Sequence, residues 1–152
     1  MIVFALRHAD RKPDPEDDLT PAGIDRAKLL ARMLAESGIQ KAYCSDAVRT
    51  QLTIQPLMKL LVSNLDVVVV DTKGAGGIEG HVRHIVDKVN ALPRDAVAAV
   101  VGHSNTIGPI IKALTGQRID PIADHEFDKL FVLSIPATGA STIALMRYGQ
   151  AT

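Results

Sequence analysis

The chain has 152 residues, 47% of them apolar, and 17 basic side chains balance 17 acidic ones. That is one domain with a real core, here taken as residues 1–152, and a net charge of zero gives no overall field toward nucleic acid or an anionic membrane. No Trp, two Tyr and three Phe leave few stacking platforms for single-stranded nucleic acid, and no apolar run approaches the roughly 20 residues of a membrane helix.

The absence of a basic, then apolar, then small-residue leader before Arg7 predicts a cytoplasmic protein, and the single cysteine, Cys44, fits a reducing compartment. Cys44 reads as a small buried apolar residue. The sequence leaves the oligomeric state open.

Ile2 to Leu6 reads as a strand, and Asp10 to Asp18, with its charges and two prolines, as a solvated loop. Thr20-Pro21 opens a helix, with Ile24, Ala27, Ala31 and Leu34 at helical spacing up to Gly38. Ala42 to Cys44 is a short strand. Ser45-Asp46 is expected to cap a helix through Arg49 and Leu52 that Pro56 kinks. Val67 to Val70 reads as a buried strand. A glycine-rich turn follows, then a helix with Ile78, Val82, Ile85, Val89 and Leu92 on one face. Val97 to Val101 is a further strand, Ile107 to Leu114 a helix, and Phe131 to Ile135 and Thr142 to Met146 two final strands.

Strands alternating with helices imply an α/β fold, a mainly parallel sheet covered on both faces as a three-layer sandwich. Ligands of such sheets bind beyond the carboxyl ends of the strands, where the chain places Arg7-His8, Ser45 to Arg49 and His103-Ser104. Two arginines and two histidines suit a phosphoryl group. Arginine forks its donors onto phosphoryl oxygens, a neutral imidazole can attack phosphorus, and a second imidazole can stabilise the developing charge. Ser104 and Asn105 are expected to present N–H groups at a helix start, itself an anion site.

Leu6-Arg7-His8-Ala9-Asp10 resembles the opening motif of the histidine phosphatase superfamily, also called phosphoglycerate-mutase-like. Asp18 to Gly23 is similar to the family's loop into its first helix, Cys44 to Thr50 to its serine-to-arginine motif, and Val101 to Thr106 to the motif around its second histidine. Glu126 to Val132 is similar to a late structural segment of short members. The resemblance implies a phosphoglycerate-mutase-like fold, His8 as nucleophile, Arg7 and Arg49 as phosphate clamps, and His103 as electrophile; Ser104, at the expected helix start, is a further phosphate-binding candidate. The resemblance implies no metal and no cofactor. Larger members supply a glutamate as proton donor after the third strand, and no residue here aligns cleanly with it. Asp10, Asp71 and Glu79 are the candidates, although Glu79 at a helix start is equally explained by the helix dipole.

The implied activity is a phosphatase acting on a phosphorylated small molecule or a phosphoprotein, including protein phosphohistidine. A phosphomutase and a non-catalytic phosphate-binding or phosphoprotein-binding module are the alternatives. Gly74 to Gly80 raises a nicotinamide-cofactor reading, but its glycine spacing is irregular and it follows the third strand. The close spacing of His81 and His84 raises a metal reading that no cysteine pair supports. His84 is expected to face solvent and His81 to lie at the edge of the apolar face, while His125 has no assigned role.

Overall fold

A computed structural model describes residues 1–152. Its elements run β1 (Ile2–Arg7), α1 (Pro21–Leu34), β2 (Lys41–Ser45), α2 (Val48–Leu61), β3 (Asp66–Val70), α3 (Gly77–Asn90), β4 (Val97–Gly102), α4 (Ile107–Thr115), β5 (Lys129–Ser134) and β6 (Thr142–Arg147). The sheet order is β3-β2-β4-β1-β5-β6. The first four strands in that order pair in parallel, and β5 and β6 add antiparallel pairings at the β1 side.

The two-residue period of the strands divides their side chains between two cores. Val3, Ala5, Tyr43 and Val100 join α3 and α4 through Ile85, Val89, Ile107 and Ile110. Leu6, Ala42, Cys44, Ala99 and Val101 join α1 and α2 through Leu30, Leu34, Ile54 and Leu57. This is the expected three-layer sandwich. Cys44 is fully buried, and burial pushes its thiol up to about 11, so it is packing, not a nucleophile. No helix is long and apolar enough to cross a membrane.

Several local expectations are corrected. Ile24 is exposed, because α1 buries Gly23, Arg26, Ala27, Leu30, Ala31 and Leu34 instead. Gly23 is required there, since a Cβ would lie 2.1 Å from the Asp10 carbonyl oxygen. β3 is an edge strand with Val69 open to solvent, not a fully buried one. α2 continues through Pro56 as one element, and the residue preceding it is Ala47, not Ser45-Asp46. His84 is exposed as expected, but His81 is buried, with Nδ1 3.3 Å from the Asp71 carbonyl.

The register sets the site. Arg7 pairs with Gly102 across β1 and β4, and Cys44 with Val101 across β2 and β4. Three parallel strands therefore end level, and His8, Ser45 and His103 leave the sheet side by side. The backbone N–H of His8 extends the ladder by donating to the Gly102 carbonyl at 2.9 Å. Gly102 permits the turn that follows, because a Cβ would lie 2.6 Å from Thr106 Oγ1 and 3.0 Å from Ile107 Cδ1.

Candidate active site

His8 is 2% exposed. Its Nδ1 lies 2.8 Å from the Ala9 carbonyl oxygen. A carbonyl only accepts, so Nδ1 carries the proton and Nε2 keeps its lone pair. Burial, opposed by the bond to Ala9 and reinforced by the charges of Arg7, His103 and Arg49, pulls the pKa of His8 from 6.5 to about 3. The ring is thus a neutral base of fixed tautomer near neutral pH.

His103 is the second imidazole, 5.4 Å from His8 between ring centroids and edge-on to it. Arg49 Nη2 donates toward His103 Nδ1 at 3.3 Å, which assigns the ring proton to Nε2, and Nε2 lies 2.8 Å from Ser45 Oγ. Ser45 Oγ is 3.0 Å from Thr50 Oγ1, which reaches the carbonyls of Ala47 and Ser45. The chain Nε2–H to Ser45 to Thr50 to backbone runs in one direction and holds the imidazole. Burial first, then the charges of Arg49, His81 and Arg7, lower the pKa of His103 to about 4.

The two arginines are held by what surrounds them. Arg7 Nη1 donates to the carbonyls of Ala123, Asp124 and Glu126 at 3.0, 2.7 and 3.1 Å, and its guanidinium lies 4.2 Å above the Phe127 ring. Arg49 Nη1 donates to Asp17 Oδ1 at 2.8 Å. The Nε atoms of both arginines are buried and have no protein partner. Each guanidinium is therefore fixed at one end with donor capacity remaining for an anion.

Asp17 was not legible as a site residue. Its carboxylate also accepts from the backbone N–H groups of Val48 and Arg49, at 2.8 and 3.1 Å, and so caps α2 in place of the expected local cap. Burial raises its pKa, but the hydrogen bonds from Arg49 and from these two amides outweigh it and leave the carboxyl below its ordinary value.

Arg7, His8, Arg49, His103 and Ser104 line one open pocket of about 480 Å³, with Arg11, Thr72, Ile78, Asn105 and Asp124 also in its wall. α4 begins at Ile107 after Thr106, so Ser104 and Asn105 lie in the turn before the helix, not in its first turn as expected. Thr106 Oγ1 accepts from His103 N–H at 2.9 Å and fixes that turn.

None of the three candidate proton donors lines this pocket. Asp10 is the counter-ion of buried Arg26, at 2.6 Å from its Nε. Asp71 folds back to accept from Lys73 N–H at 2.7 Å, and Glu79 is exposed in the first turn of α3. The carboxyl residue that does line it is Asp124, delivered by the loop between α4 and β5. No local pattern marked Asp124 in the sequence.

The family model described as "Histidine phosphatase superfamily (branch 1)" matches residues 6–71, a span that holds Arg7, His8, Asp17 and Arg49. A tungstate complex of the protein histidine phosphatase SixA has the same fold, with a TM-score of 0.72, 19% identity and 97% of each chain covered. A putative phosphohistidine phosphatase SixA from Nakamurella multipartitia superposes with a TM-score of 0.60 at 25% identity, over 87% of this chain and 83% of that one. A putative alpha-ribazole-5'-P phosphatase from Escherichia coli K-12 gives 0.69 at 15% identity, over 97% and 96%. None of the curated proteins matches the chain in sequence. Residues 6–71 are thus similar to the histidine phosphatase superfamily, and the chain as a whole shares the fold of these phosphatases.

Proposed function

We propose that this chain is a phosphatase that hydrolyses a phosphomonoester or a protein phosphohistidine through a covalent phosphohistidine on His8. The observation that carries the reading is the fixed His8 tautomer, an unprotonated Nε2 in a pocket shared with Arg7, Arg49 and His103.

In the first half-reaction His8 Nε2 attacks phosphorus, an N–P bond forms, and the bond from phosphorus to the leaving group breaks. Arg7 and Arg49 hold the phosphoryl oxygens, and His103 takes up a proton as the dianion arrives, keeps it, and donates a hydrogen bond to a phosphoryl oxygen. We assign protonation of a leaving oxygen to Asp124, the one carboxyl-bearing residue of the pocket wall. Water then attacks phosphorus and gives its proton to the Asp124 carboxylate left by the first half-reaction, the N–P bond breaks, and inorganic phosphate leaves with His8 and Asp124 restored. The segment from Arg49 to His103 holds only α2, β3, α3, β4 and their connections, so nothing inserted there closes over the pocket, which favours water as acceptor over a second substrate.

Release of inorganic phosphate from an activated aryl phosphate tests the reading. The wild type is expected to turn over and His8→Ala to fall to background. Equal turnover by both proteins would rule it out, and vanadate binding without turnover of any ester would identify a phosphate-binding module instead.

A further inference from the structure

A second groove of about 500 Å³ opens beside the phosphoryl pocket, and Ser104 lines both. One wall is the outer face of α4, with Gly108, Pro109 and Lys112, continued by Ser104 in the turn before it. The opposite wall is the segment 118–122, with Arg118, Ile119 and Ile122. Residues 123, 124 and 126, immediately after that wall, supply the three carbonyls that hold Arg7. The groove and the phosphate clamp are thus built by one continuous stretch of chain.

The composition of the groove is specific. Pro109, Ile119 and Ile122 give it an apolar floor. Lys112 and Arg118 bring two positive charges, and neither is among the residues paired in the protein's ion pairs. Asp120 also lines it, leaving an excess of one positive charge. The groove has room above Gly108, where a Cβ would meet only Ile119 Cγ1, at 3.8 Å.

We infer that this groove is the leaving-group subsite of the proposed phosphatase, shaped for a small phosphomonoester whose leaving group has an apolar body and a second anionic group. The inference rests on the phosphatase reading for what occupies the neighbouring pocket. A phosphate held by Arg7 and Arg49 projects its ester substituent past Ser104, the apolar body lies on Ile119 and Ile122, and Lys112 and Arg118 meet the distal carboxylate or phosphate.

The test compares phenyl phosphate with 3- and 4-carboxyphenyl phosphate, by dissociation constants measured calorimetrically in the His8→Ala background, so that binding is read without turnover. The better-fitting carboxylated ester is expected to bind about tenfold more tightly, the combined size of two exposed ion pairs. That advantage is expected to disappear in K112Q/R118Q. Gly108→Leu, which fills the groove without altering charge, is expected to weaken both aryl esters while inorganic phosphate still binds. Equal affinity for all three esters, or an advantage that survives K112Q/R118Q, overturns the inference. So does undiminished ester binding in Gly108→Leu. Failure of the wild type to hydrolyse any ester counts against the phosphatase reading and leaves these binding ratios to decide the groove separately.

Discussion

Asp17 holds Arg49 twice, by a 2.8 Å bond from its side chain and by a 3.1 Å bond from its backbone N–H. One carboxylate therefore starts α2 and aims the arginine in that helix's first turn. Asp17→Ala is expected to cost about 1 kcal/mol in thermal or denaturant unfolding, the ordinary value of a lost N-cap. It is also expected to weaken vanadate binding about tenfold through a loosened Arg49. Asp17→Asn retains an acceptor for the helix start but not the charge, so it should recover much of the stability and less of the affinity. Unchanged vanadate affinity in both variants would show that Arg49 needs no such support.

Ser45 accepts the Nε2–H of His103 and fixes its tautomer. In Ser45→Ala the imidazole loses that acceptor and can rotate or exchange its proton. Turnover should fall about tenfold with a smaller change in KM, as expected when a group acting in the transition state is misplaced. The imidazole nitrogen NMR shifts should show a mixed tautomer where the wild type shows one. A wild-type ring protonated only on Nδ1 would contradict the assignment.

Asp124→Asn keeps the backbone carbonyl that holds Arg7 and removes the only carboxyl group among the pocket's lining residues. An alkyl phosphate, whose leaving oxygen needs a proton, should slow by about 10²-fold or more, while an activated aryl phosphate should slow much less. Equal losses on both substrates would remove Asp124 from proton transfer.

The buried histidines predict a sign for the pH dependence of stability. His8 and His103 have pKa values of about 3 and about 4 in the folded protein against 6.5 ordinarily. Between those values the unfolded chain binds protons that the folded one does not, so stability is full above about pH 6.5 and is lost as pH falls toward 4. Each histidine contributes a slope of at most about 1.4 kcal/mol per pH unit. Unfolding midpoints measured across this range should decline in the wild type and flatten in His8→Ala combined with His103→Ala. The same depression predicts proton uptake when vanadate binds above pH 5, because the dianion favours protonated His103; calorimetry in buffers of different ionisation enthalpy reads that proton directly.

Arg26 tests what Asp10 does. The guanidinium is 3% exposed, pairs with Asp10, and donates to the carbonyls of Tyr148 and Gln150. Arg26→Ala should cost about 3 kcal/mol, because it leaves a carboxylate and two carbonyls short of donors in a buried place. Asp10→Asn should lower stability while preserving measurable turnover. Loss of turnover in folded Asp10→Asn would return Asp10 to the catalytic candidates.

The strands, the two-sided sheet and the gathering of His8, Arg7, Arg49 and His103 were legible because each depends on local sequence. Alternating apolar residues mark the strands, and residues just beyond parallel strand ends meet by topology. Asp17 was not legible, since a charged loop reads as solvated and its contact to α2 spans about thirty residues of chain. Arg26 and Asp10 were hidden for the same reason, and Asp124 depends on the path of a loop without periodicity. Val69 and Ile24 came out exposed because edge position and helix rotation are properties of the assembled layers, not of the segment.

The covalent step on His8 is the central claim, and acid-sensitive trapping of the phosphoenzyme addresses it most directly. Wild-type protein quenched in denaturant during turnover of a radiolabelled aryl phosphate should carry a base-stable, acid-labile phosphoryl group on the peptide containing His8, and His8→Ala should carry none. Steady turnover by the wild type with no label on that peptide, under a quench that preserves a phosphohistidine control, would contradict the mechanism and require direct attack by water.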